Sequence, residues 1–471
     1  MLSVDLCVIG AGSGGLTVAA GASQMGASVV LIERARMGGD CLNYGCVPSK
    51  ALLAAARAAQ AMRRADRLGI ERHEPRIDFA KVMAHVEDVV GAIAPHDSQE
   101  RFEGLGVRVI RAEARFIASD RVEAGGETIR AKRFVIATGS TPAVPPIPGL
   151  DTVPYLTNET LFENTTKPAH LLVIGGGPIG LEMAQAHRRL GSAVTVVEKD
   201  TLLPKDDPEL VDVVRARLMA EGVTLLEGAE LERVDATPSG LAATVGRAGG
   251  AVRLNGSHLL VAVGRQPNTK DLNLEAAGVV AGPKGIRTDT RLRTSNRRIY
   301  AVGDVNGRFP FTHMASYHAG IVLRNALFRL PARVDDRAVP WVTYTEPELA
   351  QVGLTEAAAR QQHGKIEVLR WSFHEVDRAQ AERETDGFAK AIVGRGGRIL
   401  GASIVGPHAG EALQPWCLAI ANGLGIKAMA GVVAPYPTFS EINKRVAASH
   451  YTPKLFSERV RKIVRLLMRF A

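Results

Sequence analysis

Two cysteines, Cys41 and Cys46, have the residue type and the spacing needed for a disulfide that closes a short loop and reopens. A strong helix-forming sequence, residues 50–60, follows them. Pro48 and Ser49 are typical of the start of a helix, so Cys46 is expected at or just before a helix N-terminus. The helix dipole and the free backbone N–H groups at that position favour a thiolate. The alternative is a structural disulfide or a pair of buried free thiols.

The composition narrows the class of protein. The chain has 471 residues, enough for roughly two to four domains, and 46% of them are hydrophobic. Its four cysteines are too few for a disulfide-stapled secreted scaffold. Cys7 and Cys417 lie in apolar runs and are expected to be inert packing residues. The start of the sequence lacks the pattern of a signal peptide, so we expect a cytoplasmic protein with a redox-active cysteine pair.

The formal charge of +9 raises the question of an anionic partner. No nucleic-acid motif or interleaved aromatic pattern accompanies this charge, so we predict no nucleic-acid partner. No metal site is predicted either.

A unit of strand, glycine loop, helix, strand and acid occurs twice. The first copy runs from residues 4–9 to Glu33, the second from residues 171–174 to Glu198, and in both the acid lies 23 positions after the first glycine. A single glycine motif is weak evidence, but two complete copies in the same register strongly indicate two nucleotide sites. The glycines are Gly10, Gly12, Gly14 and Gly15 in the first copy and Gly175, Gly177 and Gly180 in the second.

Nucleotide binding requires each residue type of this unit for a physical reason. The first glycine allows a tight turn, the second lets the backbone approach a pyrophosphate, and the third lets the helix pack closely on the strand. The pyrophosphate rests on the helix N-terminus, and the acid accepts hydrogen bonds from ribose hydroxyls. Glu198 would repel a 2′-phosphate, so we predict that NAD(H) is preferred over NADP(H), although Lys199 next to it opposes this preference.

The cysteine segment and the two glycine units, in this order, resemble the flavin-dependent pyridine nucleotide–disulfide oxidoreductases, which include dihydrolipoyl dehydrogenase, glutathione reductase and mercuric reductase. The resemblance implies an α/β fold, with two nested Rossmann-like domains and a C-terminal α+β interface domain. It also implies FAD at the first unit, a nicotinamide nucleotide at the second, and a homodimer in which the partner subunit completes each active site.

Further segments carry the same resemblance. Residues 134–140 resemble the strand that returns from the FAD unit, and residues 261–268 resemble the exit from the nicotinamide domain. The resemblance implies that Asp304 holds the ribityl chain of FAD. The other cofactor residues that it implies are Thr138, Gly139, Ser140, Thr312, His313 and Ala315 for FAD and Gly264 for NAD.

The expected domains follow from these segments. We expect an FAD-binding domain from residues 1–145 and 265–335, an inserted NAD(P)-binding domain at 146–264 after a proline-rich connector, an interface domain at 336–450 and a C-terminal helix at 451–471. Within the interface domain, residues 341–348 and 388–393 are predicted to form strands and residues 410–425 a helix.

The resemblance also assigns roles in catalysis. Cys46 becomes the thiol nearest the flavin, able to make a charge-transfer contact as a thiolate, and Cys41 becomes the thiol that attacks a small-molecule or protein disulfide. Lys50 would lie near flavin N5 and pair with Glu182; the alternative is an ordinary surface ion pair. Asp40 stands where better-known members have threonine, and its carboxylate is expected to disfavour a thiolate at Cys41.

The chain departs from the family pattern near its C-terminus. Glu441 is in place, but Tyr436 stands where dihydrolipoyl dehydrogenase and glutathione reductase have the histidine that acts as acid and base. A phenol with a pKa near 10 is a poor base at neutral pH, but it can donate a hydrogen bond or act as an acid. Mercuric reductases also place a tyrosine here, so metal-ion reduction is an alternative. The alternative of metal-ion reduction is not supported by a C-terminal cysteine pair or by an N-terminal metal-binding extension. A third alternative is electron transfer to a quinone, or NADH sensing.

Residues 456–471 form a basic amphipathic helix on a helical wheel. This helix could lie on an anionic membrane surface or against a membrane partner, or its apolar face could pack on the interface domain of its own chain. One side carries Phe456, Val460, Ile463, Val464, Leu467 and Ala471, flanked by Leu466, Met468 and Phe470, and the other side carries Arg459, Arg461, Lys462, Arg465 and Arg469.

Overall fold

The structure is a computed structural model that describes residues 1–470. The predicted place of Ala471 on the C-terminal helix lies outside the described residues. The first elements of the chain, in order, are β1 (Leu2–Ile9), α1 (Ser13–Gln24), β2 (Val29–Ile32), α2 (Gly39–Asn43), α3 (Cys46–Arg63), α4 (Phe79–Ile93), α5 (Gln99–Gly104), β3 (Val107–Ile110), β4 (Ala114–Ala118), β5 (Arg121–Ala124), β6 (Glu127–Ile136) and β7 (Ser140–Pro142).

Six of these strands lie in one sheet in the order β3-β2-β1-β6-β5-β4. β1, β2, β3 and β6 run parallel, whereas β4 and β5 form an antiparallel extension. The end of β1, from Leu6 to Ile9, is buried throughout. Such a continuous apolar run is typical of a parallel strand covered on both faces. The first glycine loop follows at the carboxyl end of β1, where a doubly wound sheet binds its ligand.

The next elements build the second nucleotide unit. β8, β9, β10 and a later strand, β14, form a parallel sheet in the order β10-β9-β8-β14, and β11, β12 and β13 form a separate antiparallel sheet. In chain order these elements are β8 (His170–Ile174), α6 (Pro178–Arg189), β9 (Ala193–Val197), α7 (Pro208–Ala220), β10 (Thr224–Leu226), β11 (Ala229–Thr237), β12 (Gly240–Arg247), β13 (Val252–Gly256), β14 (His258–Val261) and β15 (Arg265–Pro267).

The chain then returns to the first sheet. β15 pairs antiparallel with β7, and the elements that follow are β16 (Ala281–Gly282), β17 (Gly285–Ile286), β18 (Ile299–Ala301) and α8 (Thr312–Ala326). β18 pairs parallel with β6, so residues far apart in the chain complete the first sheet. α8 packs on α1, where Leu323 lies against Gly21.

The last part of the chain contains a five-stranded antiparallel sheet in the order β19-β20-β23-β22-β21. Its core surrounds the fully buried side chains of Trp416 and Phe373. The elements are β19 (Pro340–Thr343), β20 (Glu348–Gly353), α9 (Glu356–His363), β21 (Glu367–Ser372), α10 (Asp377–Glu382), β22 (Phe388–Val393), β23 (Ile399–Gly406), α11 (Ala409–Ala412), α12 (Gln414–Ala421), α13 (Ile426–Ala430), α14 (Glu441–Ser449), α15 (Thr452–Leu455) and α16 (Glu458–Leu467).

Two predicted elements differ from the structure, and prolines explain both. The predicted strand 341–348 is split into β19 and β20 by a turn that contains a cis Glu346–Pro347 bond. The predicted helix 410–425 is divided into α11 and α12, because Pro415 stands in the first turn of α12, where its missing N–H group costs no helical hydrogen bond. The predicted strand 388–393 is confirmed as β22. Among the described residues, none of the helices combines the length and the apolarity required to cross a bilayer.

Candidate active site

The two cysteines lie on either side of the junction between α2 and α3. Cys41 belongs to α2, and Cys46 is the first residue of α3, at the helix N-terminus that the sequence predicts. Between them, the side-chain amide of Asn43 donates to the carbonyl oxygens of Met37 and Gly39, at 2.9 and 2.8 Å. These hydrogen bonds fix the loop that presents the thiols.

This cysteine loop lies directly on the first glycine loop. Gly12 and Gly38 form a parallel β-bridge, and the N–H group of Gly38 donates to the carbonyl oxygen of Ala11 at 2.9 Å. Gly39 has a φ of 60°, and a Cβ atom there would lie 2.6 Å from the Cα atom of Gly12. Only glycine allows this approach, and the approach holds the thiols beside the predicted FAD loop.

The two thiols have opposite tendencies to ionise. The pKa of Cys46 is lowered to about 6, first by the hydrogen bond from the Cys41 thiol and then by Thr312 and the charge of Lys50. The Sγ atom of Cys46 lies 3.3 Å from the hydroxyl oxygen of Thr312. The pKa of Cys41 is raised, because its proton is shared with Cys46 and because burial disfavours its charge. In the reduced pair, Cys46 is therefore the thiolate and Cys41 is the thiol.

The carboxylate of Asp40 is held by side chains from other parts of the chain. Its Oδ1 atom accepts hydrogen bonds from Arg265 at 2.9 Å and from Asn158 at 3.0 Å. Its negative charge raises the pKa of Cys46, opposing the thiolate there. The raised pKa of Cys41 comes from Cys46 and from burial. Asp40 is not among the groups that most raise the pKa of Cys41, so its predicted effect on Cys41 stays a prediction.

Lys50 and Glu182 form an ion pair next to the thiols. The Nζ atom of Lys50 donates to Oε2 of Glu182 at 2.8 Å. Glu182 is 4% exposed, so the alternative of an ordinary surface pair does not describe this contact. The second oxygen of Glu182 accepts the backbone N–H of Tyr344 at 3.0 Å. Both carboxylate oxygens are thus occupied, which fixes the position of Lys50.

Tyr344 is a member of this cluster that the sequence analysis missed. The centroid of its ring lies 4.2 Å from the Nζ atom of Lys50, which is a cation–π contact. Burial and the negative charges of Glu348, Glu182 and Cys46 raise the pKa of Tyr344. The only signal in the sequence is an aromatic residue just before a Glu-Pro pair, and that signal does not locate a site.

The first glycine loop has the geometry required for a dinucleotide. A Cβ atom on Gly10 or Gly15 would overlap a backbone carbonyl oxygen, so the fold itself requires glycine at both positions. A Cβ atom on Gly12 would meet only the Cα atom of Gly39, at 3.9 Å. Glycine at Gly12 therefore keeps space open at the N-terminus of α1, where a pyrophosphate fits. Glu33 accepts the N–H groups of Ala11 and Ala35, at 2.6 and 2.7 Å, which orients its carboxylate at the end of β2.

The second glycine loop repeats this geometry. Gly175 and Gly180 leave no room for a Cβ atom, whereas a Cβ atom on Gly177 would meet nothing within 4 Å. Glu198 accepts the N–H groups of Gly176 and Asp200, at 2.6 and 2.9 Å. The two loops thus have the same constrained and open positions, as the sequence repeat predicts.

Arg265 connects several of the remaining predicted residues, and the sequence analysis did not place it in the site. Its guanidinium donates to the hydroxyl and the carbonyl oxygen of Ser140, both at 2.7 Å, and to Asn158 at 3.2 Å, in addition to Asp40. Ser140 in turn donates to Oδ2 of Asp304 at 2.6 Å. Burial raises the pKa of Asp304. The hydroxyl of Thr138 donates to the carbonyl oxygen of Asn268 at 2.7 Å.

Three further predicted residues lie on α8, which begins beside Cys46. Thr312 is the first residue of this helix, and the ring of His313 stacks on Phe311 with a centroid distance of 5.3 Å. One ring nitrogen of His313 lies 2.9 Å from the carbonyl oxygen of Pro340. Ala315 packs on Gly14 and Gly303. The predicted residues Gly139 and Gly264 have open space around their Cα atoms.

Tyr436 and Glu441 are separate from this cluster within the chain. The hydroxyl of Tyr436, an exposed residue, donates to Oδ2 of Asp377 at 2.7 Å, and this bond raises the pKa of Tyr436. Glu441 pairs with Arg445 at 2.8 Å. In the part of the chain that the structure describes, neither residue forms a hydrogen bond or ion pair with Cys41, Cys46 or Lys50.

The other two cysteines lie apart from these groups. Cys7 is fully buried in β1, and burial raises its pKa. Burial also raises the pKa of Cys417 to about 11. Both are therefore protonated at neutral pH, consistent with packing residues.

Comparison with known proteins adds independent information. Residues 4–319 match the family model described as pyridine nucleotide-disulphide oxidoreductase, and residues 339–447 match the dimerisation domain of that family. A mercuric reductase from Streptomyces lividans is 38% identical over 456 residues, which cover 95% of this chain and 96% of the relative. A dihydrolipoyl dehydrogenase from Bacillus subtilis is 34% identical over 455 residues, again 95% of this chain and 96% of the relative. A solved structure, the Cu(II) complex of the HOCl-induced flavoprotein disulfide reductase RclA from Escherichia coli, is similar with a TM-score of 0.84 and 29% identity, covering 94% of this chain and 99% of that one.

Proposed function

Because this chain belongs to the pyridine nucleotide-disulphide oxidoreductase family, an FAD-dependent family, we propose that it transfers two electrons from NADH to an external disulfide through Cys41 and Cys46. The observation that carries the proposal is the placement of Cys46 at the N-terminus of α3 beside the first glycine loop, where its pKa is lowered to about 6. Most of this thiol is ionised at neutral pH, as a redox-active cysteine requires.

The residues around the first glycine loop suit FAD, which, when bound, supplies a two-electron relay between nicotinamide and disulfide. The open position at Gly12 supports binding of its pyrophosphate, and the ion pair of Lys50 with the buried Glu182 supports a fixed cation near its ring. We assign FAD to Gly10, Gly12, Gly14, Gly15, Glu33, Lys50, Thr138, Gly139, Ser140, Asp304, Thr312, His313 and Ala315, and NAD to Gly175, Gly177, Gly180, Glu198 and Gly264.

The same proposal divides the chain into domains. We assign residues 1–145 and 265–335 to FAD binding and residues 146–264 to nicotinamide binding. Residues 336–450 form the interface domain, and residues 451–471 form a C-terminal segment.

The cysteines carry out the exchange in two steps. The Cys41 proton moves to the Cys46 thiolate, which already accepts its hydrogen bond, and the Cys41 thiolate attacks one sulfur of the substrate disulfide. The substrate S–S bond breaks, and the departing thiolate takes the proton from Cys46. Cys46 then attacks the Cys41 sulfur of the mixed disulfide, closing the Cys41–Cys46 bond and releasing the second thiolate. One NADH and one proton are consumed for each disulfide that is cleaved to two thiols.

Dimer formation extends this proposal to Tyr436 and Glu441. The chain carries a dimerisation domain at residues 339–447, which supports a homodimer. We place Tyr436 and Glu441 beside Cys41 of the partner subunit. Since the hydrogen bond to Asp377 raises the pKa of Tyr436, the phenol serves there as a hydrogen-bond donor or an acid.

The preference for NADH is supported by Glu198 and Lys199. Two backbone N–H groups hold the Glu198 carboxylate at the end of β9, where a ribose hydroxyl is bound in this type of fold. The Nζ atom of Lys199 donates to Oε1 of Glu230 at 2.8 Å. The charge of Lys199 is therefore already paired and attracts a 2′-phosphate less.

Metal-ion reduction is the second candidate function. It is favoured by Tyr436 in place of a histidine, by the mercuric reductase relative and by the Cu(II) complex of RclA. Here the thiolates of Cys41 and Cys46 would bind a soft metal ion as substrate.

Steady-state NADH oxidation by the FAD-loaded enzyme distinguishes these functions. Wild type, Cys41→Ser and the control Cys417→Ser are assayed with a panel of disulfides, with Hg(II) or Cu(II) in excess thiol, and with a quinone. Disulfide reduction by wild type that falls at least 100-fold in Cys41→Ser and persists in Cys417→Ser supports the proposal. Turnover with metal ions alone favours the second candidate, and turnover with the quinone alone that survives Cys41→Ser contradicts both.

A further inference from the structure

All residues of the C-terminal helix α16 except the half-buried Val460 are exposed. Of its ten residues, from Glu458 to Leu467, none is buried. Ile463 is 47% exposed and Leu467 62% exposed, and Phe456, just before the helix, is 67% exposed. The alternative that this apolar face packs on the interface domain of its own chain is therefore wrong.

The helix has an N-cap of its own and follows an anchored helix of the interface domain. The hydroxyl of Ser457 caps its N-terminus by accepting the N–H of Val460 at 3.4 Å. α14, two elements before it, is anchored by the buried side chains of Ile442 and Val446. The helix thus projects from a fixed position of the interface domain.

The side opposite the apolar face is basic. Arg461, Lys462, Arg465 and Arg469 are exposed, and Glu458 is the one acidic residue of the helix. Within residues 1–470, no carboxylate lies in ion-pair distance of these four cations. An apolar strip that borders uncompensated positive charge is the pattern of a helix that lies in the interface of an anionic bilayer.

We propose that residues 456–470 bind the surface of an anionic lipid bilayer, with the helix axis parallel to the membrane. Charge selects this occupant over a second copy of the helix, because pairing two copies of α16 would bring their like charges together. Ten helical residues span about half of a hydrocarbon core, so the helix lies on the membrane. The proposal is independent of the substrate.

Vesicle flotation of the full-length protein tests this proposal. The vesicles contain phosphatidylcholine alone or phosphatidylcholine with phosphatidylglycerol. Wild type is expected to float only with the anionic vesicles, and added salt is expected to weaken the binding. Ile463→Glu/Leu467→Glu should abolish flotation. Arg461→Glu/Arg465→Glu should lower partitioning by about fivefold or more for each charge removed.

Two control variants match these changes elsewhere on the surface. Ile117→Glu/Met219→Glu introduces the same charge at exposed apolar residues of β4 and α7, and Lys284→Glu/Arg287→Glu reverses two exposed cations. Both controls should float as wild type does. Thermal midpoints confirm that all variants are folded.

Three results would overturn the proposal. Wild type that stays with the soluble fraction at low salt excludes a membrane surface. If the control variants lose flotation as much as the tail variants do, net charge alone explains the binding, and the helix is not the binding site. If wild type does not float and the tail variants dissociate the dimer in sedimentation, the helix binds a second copy of the chain.

Discussion

The hydroxyl of Tyr436 donates a 2.7 Å hydrogen bond to the carboxylate of Asp377. This hydrogen bond and the negative charge of Asp377 raise the pKa of Tyr436 above its ordinary value near 10. The phenol is therefore protonated throughout the neutral range. A dyad of this kind supplies a proton or a hydrogen bond to a departing thiolate, whereas a histidine at the same position would also accept one.

Replacing Asp377 by asparagine should lower the pKa of Tyr436, because the carboxylate that favours the protonated phenol is removed. The near-ultraviolet absorbance of ionised tyrosine, followed against pH and corrected with Tyr436→Phe, measures this shift. The alkaline limb of the activity profile should move to lower pH in the same variant. Glu382→Gln, on the same helix, is the control and should leave both unchanged. An unchanged titration in Asp377→Asn contradicts the assigned cause.

Lys50 should set the reactivity of Cys46. Its charge helps to lower the pKa of Cys46 to about 6, so Lys50→Met should raise that pKa. Thiolate-specific alkylation of the reduced enzyme, measured against pH, should increase as pH passes about 6 in wild type and at a higher pH in Lys50→Met. The exposed control Lys81→Met should behave as wild type.

Lys50→Met should also lower the free energy of unfolding. Without Lys50 the buried carboxylate of Glu182 keeps the N–H of Tyr344 but loses its cation. We expect a loss of about 1–3 kcal/mol, below the range for fully buried pairs because Lys50 is partly exposed. The urea midpoint measures the loss, and Lys50→Met/Glu182→Gln should recover part of it. No recovery would show that the ion pair is not the cause.

Alanine substitutions in the glycine loops separate folding from binding. Gly12→Ala and Gly177→Ala meet open space and should fold normally, but each should weaken its own cofactor at least tenfold, because a methyl group occupies the approach of the pyrophosphate. Gly10→Ala and Gly175→Ala, with φ of 103° and 111°, should instead lower the thermal midpoint. FAD retention on gel filtration and KM for NADH are the readouts. Normal cofactor binding by Gly12→Ala or Gly177→Ala contradicts the assignment of that loop.

Glu198 should decide between the two nicotinamide nucleotides. Wild type is expected to have the higher kcat/KM with NADH, and Glu198→Gln should raise kcat/KM for NADPH about tenfold by removing the repulsion of the 2′-phosphate. Lys199→Met should change the ratio little, because Lys199 is paired with Glu230. A wild-type preference for NADPH contradicts this account.

The features that the sequence predicts well depend on local chemistry. The glycine loops follow from backbone conformation within a few residues of each glycine, and the position of Cys46 follows from the helix-forming run after it. The C-terminal helix α16 follows from its own amphipathic pattern, whereas the sequence left open whether its apolar face is exposed. The helix at 410–425 and the strand at 341–348 were predicted as continuous, although the prolines at which both elements break, Pro415 and Pro347, are themselves a local signal.

The features that the sequence did not predict depend on distant parts of the chain. Asp40 contacts Arg265, which is 225 positions away, and its charge opposes the thiolate of Cys46. Tyr344 reaches Lys50, and Asp377 reaches Tyr436, across separate elements of the fold. These residue types recur throughout the chain, so no local pattern distinguishes the ones that meet at the site.

The central claim, that Cys41 and Cys46 form a working redox pair, is tested most directly by counting thiols. The air-oxidised holoenzyme and the enzyme reduced anaerobically with NADH are each denatured without oxygen and titrated with a chromogenic thiol reagent. Of the four cysteines, the oxidised enzyme should show two thiols per chain, from Cys7 and Cys417, and the reduced enzyme four. Cys41→Ser should show three thiols in both states. Four thiols in the oxidised wild type, or a count that NADH does not change, would contradict the account.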